Sequence, residues 1–412
     1  MNRQALKNLI VYGGVNGVKS LVPLLMLPIL TAYLTVNDFA QLALIETTIL
    51  FVTPFILMNI NGSISVEYYH LSKDELSGYI VNALTLSFFL FFFFLLLVTI
   101  FSEVLDYIFD IRSEILQLVI VFGMLRVVTT VVLGLYHIRS ESNRFALFSI
   151  LQIIIDFSFS YFLVVILNLG SDGRLGGIYG AFMACSVIGI MELKRMGYLN
   201  NISFQYTKKI LSFGLPMIPH AVGGTVIAMS DRYFINYFHG SEQLALYVVA
   251  YQVSAVMLLV GVTVNQVWVP ILFSMLKENK YKKSYLYLLV SACFFVVISI
   301  VIAFMQDWLF YLFVDAKYSG ASVFFNWLLL GYLFQSLYMV VSSYLFFYKK
   351  THILAATTVF SATLNLILNY IFILEYGSIG AAYASALIWA CFFIFTLLWV
   401  AFYGKKNTDK LV

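Results

Sequence analysis

Apolar segments of about 20 residues or more fill almost the whole chain, separated only by short polar links. A helix of that length crosses the ~30 Å hydrocarbon core of a bilayer. In lipid the backbone must satisfy its own hydrogen bonds, so such segments become helices. The pattern predicts an all-α polytopic membrane protein. Twelve spans are expected, at about 8–34, 39–65, 78–101, 114–138, 145–168, 176–192, 208–238, 244–276, 284–306, 321–346, 352–374 and 377–403. Charged residues make up 11% of the 412, against about 25% in a soluble domain.

The links carry their positive charge on one side. Of the 24 Lys and Arg, 18 fall on the side that holds both ends of the chain, including Lys73, Arg139, Arg144, Lys194, Arg195 and Lys277. The opposite side holds only Arg112, Arg174 and Lys317, while Lys19, Arg126 and Arg232 lie inside spans. Cytoplasmic loops are enriched in Lys and Arg, so both termini are expected in the cytoplasm. The outer loops lean acidic, with Glu103, Asp106, Asp110, Asp307 and Asp315. The first apolar stretch is too long for a signal-peptide core and lacks a small-residue cleavage site, so it reads as a span.

Three landmarks repeat between the halves. Gln41-Leu42-Ala43-Leu44 returns as Gln243-Leu244-Ala245-Leu246. The segment Leu151 to Phe157 resembles Leu364 to Tyr370. Gly176 to Ala181 resembles Gly377 to Ala382. Their order is the same and their offsets are 202, 213 and 201 residues. This argues for two six-helix lobes, 1–206 and 207–412, inserted the same way round, with a central cavity between them. Such a plan suits alternating access.

Ionisable groups at membrane depth cost at least ~2.5–3.5 kcal/mol and tend to face a bundle interior or a water-filled cavity. Lys19, Arg126 and Asp156 lie midway along spans 1, 4 and 5, and Glu46 lies in the outer third of span 2. Lys19 and Arg126 are the candidate grip for an anion, since an Arg fork suits phosphate. Asp156 and Glu46 are candidate substrate contacts or titrating groups. The competing reading is internal pairing that locks helices, for example Lys19 with Asp156. Asp231 and Arg232, near the outer end of span 7, read as a structural or coupling pair, as do Asn365 and Asn369 in span 11. His220, after Pro219, either lines the cavity or sits satisfied in its helix. Pro23, Pro28, Pro216 and Pro219 interrupt spans 1 and 7, where proline removes a helical hydrogen bond.

Enzyme chemistry has no foothold. The chain shows no His or Cys ligand cluster, no phosphate-cradling Gly loop and no large polar loop to hold a catalytic set. No catalytic residue, metal or cofactor is expected, beyond coupling to protons or sodium. Cys185, Cys293 and Cys391 lie within spans and read as small hydrophobes. The basic residues are dispersed, which argues against nucleic acid.

The segment Ser212-Phe213-Gly214-Leu215-Pro216-Met217-Ile218-Pro219, followed by Met229-Ser230-Asp231-Arg232-Tyr233-Phe234-Ile235, resembles the seventh span of polysaccharide-export flippases of the MOP (MATE-like) superfamily. The first loop, Leu34 to Ala40, and the glycine–alanine openings of spans 6 and 12 are similar to that family's. Within the superfamily the chain most resembles Wzx-type flippases of O-antigen and related lipopolysaccharide or surface-polysaccharide repeat units. The resemblance implies a V-shaped pair of six-helix lobes that carries an undecaprenyl-diphosphate-linked oligosaccharide from the cytoplasmic to the periplasmic leaflet. Its partners would be the lipid-linked glycan, the bilayer, and the polysaccharide polymerase with its chain-length machinery. Lys19 and Arg126 would meet the diphosphate or acidic sugars. An ion-coupled small-molecule exporter of the MATE type is the alternative.

Overall fold

The computed structural model describes residues 3–104, 113–199, 204–348 and 350–408. Arg112, Asp106 and Asp110, used above to orient the chain, lie outside them. Among the described residues the chain is helical throughout and has no strand. Eleven stretches are long and apolar enough to cross a membrane, and one of them, Thr207–Lys277, runs 71 residues. A straight helix of that length would reach roughly 100 Å, more than three hydrocarbon cores. It does not stay straight. At Gly240 the backbone leaves helical geometry (φ 80°, ψ 176°), so the stretch supplies two crossings and the expected twelve stand.

The first half runs α1 (Arg3–Tyr33), α2 (Val36–Leu57), α3 (Ile60–Glu67), α4 (Lys73–Ile100), α5 (Ser113–Ile138), α6 (Ser142–Tyr161), a π-turn at Phe162–Ile166, and α7 (Gly170–Met196). The second half runs α8 (Thr207–Gly214), α9 (Met217–Met229), α10 (Asp231–Ser254), α11 (Val256–Lys277), α12 (Tyr281–Phe304), α13 (Gln306–Phe313), a 3-10 turn, α14 (Ser322–Phe347), α15 (Thr351–Tyr376) and α16 (Ile379–Thr408). The proline effect is uneven. Pro23 and Pro28 leave α1 unbroken, whereas Pro216 falls in the break between α8 and α9. Span 2, expected as one helix, breaks after Pro54 where Met58 and Asn59 adopt left-handed φ values of 43° and 50°. Ser72 opens α4 with a capping box, and its hydrogen bonds hold the exposed Glu75 carboxyl below the usual carboxylate range.

The helices gather into two compact units: Met1–Lys19 with Gln41–Val222, and Ser20–Ala40 with Gly223–Val412. Relative to a division at 206/207, two pieces change sides, and specific bonds account for both. In the first unit, Lys209 Nζ lies 2.5 Å from Glu67 Oε2. Asn82 accepts from the Tyr206 amide at 3.0 Å and donates to Thr207 Oγ1 at 3.0 Å. These bonds strap α8 down. In the second unit, Lys317 Nζ donates to the Ala32 carbonyl at 3.1 Å, the Asp315 amide to Thr31 Oγ1 at 3.2 Å, and Tyr318 to the Thr35 carbonyl at 3.3 Å.

The core of the first unit is built from Ile56, Ile60, Tyr79, Val127, Val131, Leu135, Phe148 and Cys185. In the second, α14 is the most enclosed helix, with Phe325, Leu328, Leu329 and Leu345 buried. Between helices in lipid, close packing replaces the hydrophobic effect, and small residues permit it. The repeated glycine landmarks do this in both halves. A Cβ on Gly177 would stand 2.1 Å from Ser160 Oγ, and one on Gly380 would stand 2.0 Å from the Phe372 carbonyl oxygen. The Phe88–Phe94 run divides: Phe88, Phe89, Phe92 and Phe93 face outward, while Phe91 and Phe94 pack on the core.

Candidate functional site

Lys19 on α1 and Arg126 on α5 both belong to the first unit and are half-buried. Neither has a carboxylate within ion-pair distance among the described residues. Their company is aromatic. The Lys19 ammonium stands 5.3 Å from the centre of the Phe145 ring. The Arg126 guanidinium lies 5.8 Å from both Phe122 and Phe182. Ring faces attract a cation by about 0.5–2 kcal/mol without neutralising it. Among the described residues, these are two like charges at membrane depth with ring faces and no carboxylate beside them.

Asp156 does not join them. Its carboxylate takes Arg174 Nη1 at 2.5 Å and the Ser160 hydroxyl at 3.3 Å, and Arg174 Nη1 also donates to Ser160 at 2.6 Å. The pairing envisaged between Lys19 and Asp156 is therefore replaced by Asp156 with Arg174. Arg174, counted above as a loop cation, is 7% exposed in the second turn of α7. The triad ties the start of α7 back to the end of α6, where Gly173 and Gly177 bring the backbones together. Glu46 is half-buried in α2 and is engaged within the fold.

The polar groups of the second unit converge on the span-7 motif. Asp231 and Arg232 are 2% and 4% exposed. Tyr247 donates a short hydrogen bond to Asp231 Oδ2, and Ser385 donates to the same oxygen at 3.2 Å. The Arg232 guanidinium lies 5.2 Å from the Tyr251 ring. Next door, Ser230 donates to Asn365 Oδ1 at 2.8 Å, and Asn369 Nδ2 to the same atom at 3.1 Å. Ser230-Asp231-Arg232 is thus the buried hub that joins α10 to α15 and α16. His220 sits exposed on α9, apart from this hub.

Sequence reasoning missed the aromatic cradle of Phe122, Phe145 and Phe182, and the partners Arg174, Tyr247 and Ser385. For Arg174 one signal was present: it follows Gly170 at a helix start and faces an acid in the preceding span. The phenylalanines were unreadable among 39 in the chain.

Among the described residues the chain is helical, with eleven stretches long and apolar enough to cross a membrane, which makes it an all-α polytopic membrane protein of the MOP fold. It belongs to the polysaccharide biosynthesis protein family, whose sequence model matches residues 5–276. The MatE family model matches residues 216–371. A Haemophilus influenzae protein described as an uncharacterized membrane protein is 23% identical over 360 residues, 84% of each chain. Among solved structures, an inward-facing multidrug-resistance MATE transporter of the MOP superfamily aligns with TM-score 0.74 at 16% identity, over 99% of this chain and 96% of that one. The lipid II flippase MurJ, in an inward closed conformation, aligns with TM-score 0.75 at 14% identity, over 96% and 87%. These two solved structures are described as a transporter and a flippase.

Proposed function

We propose that this protein is a flippase for undecaprenyl-diphosphate-linked oligosaccharide repeat units of O-antigen or a related surface polysaccharide. It works by alternating access, from the cytoplasmic to the periplasmic leaflet of a bacterial inner membrane, with both termini cytoplasmic. The observation that carries the reading is the Lys19–Arg126 pair, two cations at membrane depth with aromatic neighbours and no carboxylate. A diphosphate supplies the missing negative charge, and the guanidinium fork can take it bidentately. The Phe faces offer flat apolar walls beside it. The lipid tail stays in the bilayer.

Membership in the polysaccharide biosynthesis family supports this substrate class, as does the likeness to a protein described as a lipid II flippase. The second reading, a MATE-type exporter, is favoured by the match to that family over residues 216–371. Cationic drugs would want a free carboxylate in the cavity, and Asp156 is committed to Arg174 while Asp231 is committed to Tyr247 and Ser385. Deletion in the native host decides between them. The flippase reading requires loss of surface polysaccharide and accumulation of lipid-linked units in the cytoplasmic leaflet. Unchanged polysaccharide with altered drug susceptibility would replace it by the exporter.

A further inference from the structure

The first unit carries a second cationic place, separate from Lys19 and Arg126. A cavity of 790 Å³ opens where the α3–α4 turn, the α5–α6 turn and the end of α7 meet. Lys73, Arg139, Arg144 and Arg195 line it, with Glu141 as the one lining carboxylate and Tyr198 at its edge. All four cations come from links on the Lys- and Arg-rich side of the chain.

Glu141 holds two of them in fixed relation. Its Oε1 takes Arg139 Nε and Nη2, each at 2.8 Å, and its Oε2 takes Arg144 Nη1 at 3.1 Å. The turn that presents these groups is defined: Ser140 adopts φ 58°, and the Glu141 amide returns to the Tyr136 carbonyl at 2.9 Å. Tyr198 also hydrogen-bonds Arg139. Arg195 meets Glu192 at 3.2 Å, whose other oxygen is occupied by the Tyr136 hydroxyl at 2.8 Å. Lys73 has no carboxylate within ion-pair distance among the described residues.

Glu141 and Glu192 together cannot neutralise four cations. Glu141 spaces Arg139 and Arg144, and Lys73 is left without a carboxylate in ion-pair distance among the described residues. Arg144 is the solvent-exposed partner, and ion pairs on the surface contribute little, so turning Arg144 from Glu141 toward a phosphate is inexpensive. Guanidinium forks match phosphate oxygens in geometry, and a lysine adds a mobile point charge. The volume falls in the range of small-molecule sites and exceeds that of a bare phosphate. We propose that this cavity binds a phosphate-bearing anion and has room for the group that carries it. The shared chemistry fits an anionic lipid headgroup from the adjoining leaflet, or a soluble phosphate compound. This inference does not depend on the substrate proposed for the Lys19–Arg126 pair.

The test uses the full-length purified protein and two probes. Inorganic pyrophosphate binding is measured by equilibrium dialysis in detergent. Retention of phosphatidylglycerol over phosphatidylcholine is measured by native mass spectrometry. In a Lys73→Gln/Arg144→Gln double variant, binding of the responding probe falls at least tenfold. A Lys73→Arg/Arg144→Lys variant, which keeps both charges, retains most of it, so misfolding is separated from loss of charge. The comparison is repeated in a Lys19→Ala/Arg126→Ala background, where the pair proposed to take a diphosphate is removed and the tenfold loss on Lys73→Gln/Arg144→Gln persists. Response to pyrophosphate identifies a soluble ligand; response to phosphatidylglycerol alone identifies a lipid. If neither probe binds, if binding survives the glutamine variant, or if only the Lys19→Ala/Arg126→Ala variant loses it, the site does not exist.

Discussion

The two units meet the same cost, polar groups at membrane depth, in opposite ways. In the second unit Asp231 has Tyr247 and Ser385 on one oxygen, and Asn365 is shared by Ser230 and Asn369. Polarity there is turned inward into helix contacts, though Asp231 Oδ1, Asn365 Nδ2 and Asn369 Oδ1 stay buried without a hydrogen-bond partner among the described residues. In the first unit Asp156 and Arg174 do likewise, but Lys19 and Arg126 are left with ring faces alone. A buried polar group that satisfies its neighbours holds helices together. One without a counter-ion is a site in waiting, because only a ligand or water can complete it. The contrast is in charge: among the described residues, Lys19 and Arg126 are cations at membrane depth with no carboxylate in ion-pair distance.

The sharpest attempt to break this contrast is Arg174→Ala. Leaving Asp156 alone in the membrane should cost roughly 3–5 kcal/mol, the range for stripping one partner from a buried ion pair. The readout is thermal stability in detergent and protein abundance. Stability equal to the parent would mean that Asp156 is not locked and belongs with the cavity residues. Next is Asp231→Ala, which strips Tyr247 and Ser385 of their acceptor and should destabilise by about 2–3 kcal/mol. Transport should fall only as far as protein level does. A selective transport defect at normal abundance would move Asp231 from scaffold to coupling.

Lys19→Ala and Arg126→Ala should behave in the reverse manner. Each is expected to reduce export about ten- to a hundredfold, the equivalent of a lost charge-assisted hydrogen bond of about 1.4–2.7 kcal/mol, with normal membrane levels. Complementation of a deletion strain, scored by surface polysaccharide, measures this. Full activity in both variants would place the cations in the structural class. The smallest effect belongs to Asn369→Leu, which removes one interhelical amide contact. A loss of about 0.6–1.7 kcal/mol in stability, with transport intact, matches hydrogen bonds of this type in membrane helices.

Much of this architecture was legible because a bilayer leaves few choices. Span number, helical class and the one-sided distribution of Lys and Arg follow from length and solvent. The Gly176 and Gly377 landmarks marked real close approaches, at Gly177 and Gly380. Pairing was less legible. Arg174 looked like a loop cation because charge in a link is ordinarily solvated, and only the fold shows it folded back on Asp156. Tyr247 lies 16 residues beyond Asp231, past the Gly240 bend, so no helical spacing connects them. The break at Met58–Asn59 was hidden too, since one proline in an apolar run predicts a kink without saying where the chain will bend. The exchange of Ser20–Ala40 and 207–222 between units rests on backbone carbonyl and side-chain bonds that composition does not encode.

Gly240 stands in open space, with nothing near enough to object to a larger residue, and its φ of 80° is the sole reason for its identity. That bend reverses a 71-residue apolar stretch and so sets the parity of the rest of the chain. Every later link inherits its sidedness from one hydrogen atom standing where a methyl group would be. A side chain there would have to be carried in left-handed backbone, so the strain of any replacement falls on that bend.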